Sequence, residues 1–467
     1  MSEKHLLSHR LNSLLFVAVL VVMCVSFLAM GGSERVDMNE NRKLADMPTL
    51  SSDTVFNGVF ADGVEAYVAD HFPLRQAFLG VNFALRENLG FSLGDVKVYN
   101  DEETTAEALA SEEGMDEAVN AAITPEAKTD SGEKPEPVLL ASNQKAGVVA
   151  PPPAGDERGQ GKVTVSKRVV IHKGRAMRAF TGKPENSAGW ANVLNTYRRD
   201  LPAGVQLYAM MIPTASEFYW PKDAPVATMS EKAFIDAAYS RLDRGIIKVD
   251  SYSELKSHTA DPIYFRTDHH WTGLGAYHAY TALCRSAGLK PMSLDSMQKK
   301  SLPKGWLGSH HTVTRDASLR KNPDKVEYWI PPVETQVFKS FHVSQRGSKI
   351  PLLAENERGY GVFLGADHTL VTIRTGLNNG RRALVVRNSF GNPLGVFMAA
   401  SFELVSMVDY RYYKGSLLEI VEKQDITDVI ILSGAPSANS PDHYQRILRL
   451  LHGLPQPKTR TAPLACL

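Results

Sequence analysis

The longest unbroken apolar run lies near the amino end. Leu14 to Met30 reads LLFVAVLVVMCVSFLAM, with Ser26 its only clearly polar side chain. At about 1.5 Å rise per residue this run makes roughly 25 Å of helix, close to the hydrocarbon thickness once flanking glycines and interfacial groups are added. Residues 14–32 therefore predict a membrane anchor, with 1–13 as a short cytoplasmic segment. Lys4 and Arg10 precede the run and Glu34, Asp37 and Glu40 follow it, a bias that puts the body outside the cytoplasm although Arg35, Arg42 and Lys43 blunt it. A cleaved, secreted form is the alternative, since Ala29-Met30-Gly31 loosely resembles a cleavage site.

Beyond the run the pattern changes three times. Residues 33–100 begin with a polar tether, ENRKLADMPTL, and continue with apolar positions at intervals of three and four that predict docked helices. Asp70, Phe72, Pro73 and Arg75 mark a cap or kink there, best read as a structural ion pair. Residues 101–160 carry fourteen acidic and four basic side chains and the run Pro151-Pro152-Pro153, a composition that predicts a flexible acidic insertion. From residue 161 to 450 strand-like and helix-like segments alternate. KVTVSKRVVIHKGRAMRAF suits a hairpin, Ala188–Arg199 a helix, VQLYAMMI a strand, Glu231–Arg244 a helix, IIKVD a strand and GAYHAYTALCRSAG a helix. Residues 288–360 are less regular and read as a β-rich subdomain or long loops beside a cleft. The alternation returns in GVFLGADHTLVTIRTG, RRALVVRNSFGNPLGVFMAASF and DVIILSGAP, and residues 451–467 form a tail. Strands alternating with helices predict an α/β domain with a mainly parallel sheet covered on both faces, its ligands at the carboxyl ends of strands.

Charge refines this picture. The chain has 52 basic and 51 acidic residues, a net charge of +1, and no field that would draw it to nucleic acid. The insertion takes about −10 of that balance, so the rest is basic by a similar amount. Such an excess suits an anionic glycan or lipid leaflet, and dispersed solubilising charge is the simpler explanation. The three cysteines, Cys24, Cys284 and Cys466, have no metal-site spacing. A Cys284–Cys466 pair is open in an oxidising compartment, although a buried Cys284 and a loose Cys466 fit better.

Two segments could carry chemistry. In Tyr264-Phe265-Arg266-Thr267-Asp268-His269-His270-Trp271-Thr272, adjacent histidines cannot both point inward from one extended face. One can serve a cleft while the other packs or makes a surface hydrogen bond. His270 could act as a base with Asp268 fixing its tautomer, and structural hydrogen bonding or metal binding are the competing roles. In ALVVRNSFGNPLG a buried strand delivers Ser389 to a turn before an apolar helix, where N–H groups near Ser389 and Gly391 could hold an oxyanion. Neither G-x-S-x-G nor Gly-Asp-Ser is present, and a helix cap is the plain reading of Ser389 alone. Arg411 and Tyr412, with Tyr413, could line a cleft and hold a sugar, or Arg411 could serve a structural pair with Asp409. Trp271 could form the pocket wall or pack in the core.

Taken together these blocks resemble the DHHW family and its SGNH-hydrolase-like relatives of alginate and other exopolysaccharide acetylation. ENRKLADMP, the Asp70-Phe72-Pro73-Arg75 neighbourhood, Thr267-Asp268-His269-His270-Trp271, Asn388-Ser389-Phe390-Gly391 and Val408-Asp409-Tyr410-Arg411-Tyr412 fall in the family-like order. The resemblance covers most of residues 36–100 and 161–440. It implies an SGNH-hydrolase-like three-layer domain with Ser389 as nucleophile, His270 as base and Asp268 as its orienting carboxylate. Asp268 and His270 precede Ser389, which looks like a circular permutation of the shared sheet. Arg387 and Asn388 stand where relatives often place a lysine or glycine and an aspartate; the Asn388 amide can donate to an oxyanion where a carboxylate cannot. The resemblance further implies a carbohydrate polymer as substrate, acetyl transfer or ester hydrolysis as reaction, a multi-pass membrane O-acyltransferase as partner, and no soluble coenzyme. Two other classes stay open: a metal-dependent phosphoesterase using Asp268, His269 and His270 with His310 and His311, and a non-catalytic envelope protein that binds or assembles glycan.

Overall fold

The computed structural model describes residues 169–455 apart from residue 366, together with short stretches between residues 36 and 99. The apolar run 14–30, the insertion 101–160 and the tail from 456 lie outside the described residues, as do Pro73, Arg75 and Cys466. Among the described residues no helix is long and apolar enough to cross a membrane. Helix α1 (Val59–Asp70) ends on the Asp70 carboxylate, which accepts the Ala45 N–H at 2.7 Å.

The predicted hairpin is present. Strands β2 (Val169–His172) and β3 (Arg175–Arg178) are joined by Lys173 and Gly174, at φ 48° and 71°, the left-handed pair that a two-residue hairpin turn needs. Strand β1 (Val96–Tyr99) pairs with β2. This corrects the reading of 33–100 as tether and helices alone. Four residues of period two are too few to stand out locally, and their partner lies seventy residues on.

Eight further strands form the central sheet: β4 (Gln206–Ile212), β5 (Ile246–Lys248), β8 (Thr335–Ser340), β9 (Ser348–Ile350), β10 (Leu370–Thr375), β11 (Arg382–Arg387), β12 (Leu404–Asp409) and β13 (Asp428–Gly434). Strands β6 (Gln298–Ser301) and β7 (Glu327–Ile330) form a separate pair. The central order is β9-β8-β10-β12-β11-β13-β4-β5. From β12 to β5 every neighbouring pair is parallel, while β9, β8 and β10 extend the sheet antiparallel beyond β12. Part of the stretch read as an irregular subdomain is thus the antiparallel edge of the main sheet.

Alternation along the parallel strands explains the layers. In β4, Tyr208, Met210 and Ile212 pack into one core with helices α4 (Ser251–Ser257), α5 (Gly273–Ser286) and α7 (Gly391–Met398), while Leu207, Ala209 and Met211 pack into the other. That second core holds helices α2 (Ser187–Asp200), α3 (Glu231–Ser240), α8 (Leu417–Lys423) and α9 (Pro441–His452). Strands buried on both faces and helices above and below make an α/β three-layer body. Helix α3 stops at Ser240 rather than Arg244; Leu242 is buried in the exit turn, which Gly245 completes at φ 90°. Helix α7 is buried at all eight positions, as an apolar all-round helix must be. Parallel strands of equal register end together, so Arg387 of β11 lies beside Asp409 of β12 at the carboxyl edge.

Candidate active site

At that edge the chain leaves β11, turns through Asn388-Ser389-Phe390 and enters α7. The turn closes on itself: the Gly391 N–H donates to the Asn388 carbonyl and the Asn392 N–H to the Ser389 carbonyl, both at 3.0 Å. A Cβ on Gly391 would lie 2.7 Å from the Arg387 side chain, so the residue must be glycine. Its N–H is spent inside the turn, which removes Gly391 from the oxyanion donors. The Asn388 Oδ1 accepts the Phe390 N–H at 3.2 Å. Its Nδ2 and the Ser389 N–H have no partner among the described residues and are left free to donate.

The histidine loop is held as tightly. Tyr264 and Trp271 bridge antiparallel, and the Phe265 N–H donates to the His270 carbonyl at 3.2 Å, pinching residues 266–269 into a narrow turn. The Asp324 carboxylate fixes its tip by accepting the N–H groups of Arg266 and Thr267 and the Thr267 hydroxyl, the last two at 2.7 and 2.6 Å. Asp268 then accepts the His270 Nδ1–H at 2.6 Å and its backbone N–H at 2.9 Å on one oxygen, and the Ser309 N–H at 2.8 Å on the other. A carboxylate only accepts, so the His270 proton sits on Nδ1 and Nε2 faces the Ser389 Oγ at 2.8 Å as an acceptor. Asp268, His270 and Ser389 are 3%, 7% and 5% exposed. Burial pushes the Asp268 carboxyl up, but electrostatic interaction with the His269 and His270 imidazoles, the His270 hydrogen bond and the Ser309 N–H outweigh it and hold the group well below the usual carboxylate range.

Two aromatic residues join the loops. The Trp271 Nε1–H donates to the Phe390 carbonyl at 3.1 Å, and the Tyr360 hydroxyl donates to the Ser389 carbonyl at 3.0 Å. The Tyr360 ring also stacks on His270, centroids 3.9 Å apart and planes 12° from parallel. Trp271 is fully buried, so it ties the two loops together instead of walling a pocket. Arg411 is likewise not an open charge for a sugar: its guanidinium is paired with Asp367 and Asp409, the structural role. Tyr412 lies beside it half-buried, 5.0 Å from ring centroid to guanidinium, and Tyr413 is buried.

His269 takes the second role foreseen for the pair. Its ring lies 3.7 Å from that of His270 and its Nδ1 is 2.7 Å from the Ser309 hydroxyl. Asp268, His269 and His270 do bring possible ligand atoms within 4.8 Å of one another. His270 Nδ1 and Nε2 are engaged by Asp268 and Ser389, however, one Asp268 oxygen accepts from His270 and the other from the Ser309 N–H, and the His310 ring lies 6.3 Å from that of His269. Burial pushes the His311 imidazole down to about 4. The donor set fits acyl chemistry better than a metal clamp.

Asp324, Tyr360 and Gly308 carried no signal that sequence reading used. Gly308 precedes helix α6 (Ser309–Thr314), whose first N–H goes from Ser309 to Asp268, and a Cβ on Gly308 would fall inside contact distance of the Asp268 Cβ, Cγ and Oδ2. Gly308→Ala is expected to lower stability by about 1–3 kcal/mol and turnover by about 10- to 100-fold, because the clash moves the triad carboxylate. A thermal melt and an ester assay on the same preparation check both numbers.

A DHHW family protein from Eubacterium siraeum matches with a TM-score of 0.54 at 26% identity, over 60% of this chain and 94% of that one. Bacillus cereus PatB1, in a structure with a sulfonyl adduct, matches with a TM-score of 0.51 at 19% identity, over 59% and 97%. The O-acetyltransferase domain of Pseudomonas putida AlgJ is less similar, with a TM-score of 0.34 at 15% identity over 59% and 96%. No curated protein gives a significant match. The family model described as DHHW protein matches residues 40–408, a span that contains both loops of the site, and the chain belongs to the DHHW family.

Proposed function

We propose that the protein is an extracytoplasmic carbohydrate O-acetyltransferase or acetylesterase that works through an acyl-Ser389 intermediate in exopolysaccharide or cell-envelope glycan modification. One observation carries this reading: an unbroken hydrogen-bonded chain from the Asp268 carboxylate through His270 to the Ser389 hydroxyl, at 2.6 and 2.8 Å. In the first half-reaction Ser389 Oγ adds to the carbonyl carbon of an acetyl ester while His270 Nε2 takes the hydroxyl proton. The Ser389 N–H and Asn388 Nδ2 meet the developing oxyanion. Collapse breaks the ester C–O bond, the leaving oxygen takes the proton from His270, and the acetyl group stays on Ser389. In the second half, a sugar hydroxyl or water gives its proton to His270 and attacks the acyl carbon; the bond from that carbon to Ser389 Oγ breaks and His270 returns the proton to Oγ. Asp268 stays ionised and holds the imidazolium that forms in each half.

The remaining assignments are parts of the same proposal. The apolar segment 14–32 would anchor the chain with its body outside, and a multi-pass membrane O-acyltransferase would supply the acetyl group. Tyr412 is the candidate for stacking on a pyranose ring. The SGNH-like order, with Asp268 and His270 ahead of Ser389, is proposed as a circular permutation; proximity in space is what the chemistry needs.

Turnover of p-nitrophenyl acetate tests the reading, and added oligosaccharides separate its two forms. Acceptors that speed deacylation and become acetylated support transfer, whereas deacylation by water alone supports an esterase. Glycan binding without turnover of any acyl ester, undisturbed by Ser389→Ala, would replace the enzyme by a glycan-binding protein.

A further inference from the structure

The end of the nucleophile strand rests on a buried ring of charge. Arg387 is fully buried, and its Nη1 donates to Asp367 and Asp409, each at 3.1 Å, while its Nη2 donates to the His368 carbonyl at 3.2 Å. Arg411 closes the ring, donating from Nη2 to Asp367 at 2.6 Å and to Asp409 at 2.7 Å, and from Nε to Asp409 at 2.9 Å. Charges of opposite sign alternate, the condition under which buried ions are tolerated. The ring joins three segments: the end of β11, the end of β12 and the approach to β10.

Asn392 connects this ring to the nucleophile turn. It is 3% exposed; its Nδ2 donates to Asp367 Oδ1 at 2.8 Å and its backbone N–H donates to the Ser389 carbonyl at 3.0 Å. The amide can only face Asp367 with its nitrogen, because an oxygen there would oppose a carboxylate. Its Oδ1 is buried and unpartnered among the described residues, so the orientation is set by Asp367 alone. An unpartnered buried acceptor is costly, and such a group persists where its geometry serves something else.

We propose that Asn392 is a positioning residue for Ser389, tying the nucleophile turn to the Arg387–Asp367–Asp409–Arg411 ring so that Oγ stays aligned with His270 Nε2. This rests on the reading of Ser389 as nucleophile. Asn392→Ala cuts the link and leaves all four ring charges paired, whereas changing a ring member would strand a buried ion.

The test is the rate at which phenylmethanesulfonyl fluoride labels Ser389 in the full chain, followed by intact mass, beside the thermal midpoint and ester kinetics. Asn392→Ala is expected to slow labelling by about 10- to 100-fold and to lower kcat with little change in KM. The carboxyl introduced by Asn392→Asp lies against Asp367 and must hold a proton to remain there. Relative to the parent at each pH, that variant should label nearly normally near pH 6 and progressively more slowly toward pH 9, a limb that Asn392→Ala lacks. A lower midpoint with unchanged labelling rate and unchanged pH profile in both variants would mean that Asn392 is structural only, and the inference fails while the nucleophile stands. No labelling of Ser389 in the parent protein would remove the nucleophile and this inference together.

Discussion

Ser389→Ala is expected to lower kcat for acetyl-ester turnover by roughly 10⁴- to 10⁶-fold while leaving the protein folded. The size follows from the proposed role: among the described residues no other hydroxyl donates to the His270 Nε2, so the covalent route would be lost entirely. What would remain on that proposal is ester binding and the two candidate oxyanion donors, which do not depend on the Ser389 side chain. The cost to folding is that of one side-chain hydrogen bond, about 1 kcal/mol, since the turn is held by its backbone carbonyls through Tyr360, Trp271 and Asn392. Steady-state kinetics beside a thermal melt would separate loss of chemistry from loss of fold. Turnover within tenfold of the parent would exclude Ser389.

Asp268→Asn is expected to cost about 10⁴-fold in kcat by a different route. An amide can donate to Nδ1, which moves the ring proton to Nε2 and leaves nothing to accept the serine proton. The same change has a signature in stability. Because the folded Asp268 carboxyl is held below its ordinary value, its contribution to stability is present above about pH 3.9 and is lost as pH falls through its lower folded value. The gap in stability between parent and Asp268→Asn should therefore be widest near neutrality and close on strong acidification. Denaturant titrations across that range check the sign; a gap that widens toward acid would contradict the assignment of the charge.

The two loops were legible because each is announced locally. Ala383 to Val386 is a β-branched apolar run that must end in a turn before an apolar helix, and Asp-x-His is a spacing at which a carboxylate reaches its own imidazole. The sheet was legible for the same reason, as alternation between strand and helix patterns. What supports the loops was not. Asp324 reaches Thr267 from 57 residues away, Tyr360 reaches Ser389 from 29, and Asn392 meets Asp367 from 25. The first two lie in the least periodic stretch of the chain, where hydrogen-bonding partners leave no local pattern. Trp271 shows the limit of residue type: an indole suits a pocket wall or a core, and the need of its buried N–H for an acceptor was the clue that it joins two backbones. Arg411 was ambiguous until Asp367, absent from any motif, supplied its second carboxylate.

The most direct test of the account is mass spectrometry of the protein quenched during turnover of an acetyl ester. A single added acetyl group mapped to Ser389, absent from Ser389→Ala and His270→Ala, is the predicted result. Turnover with no adduct on Ser389, or the same adduct forming in His270→Ala at the parent's rate, would contradict it.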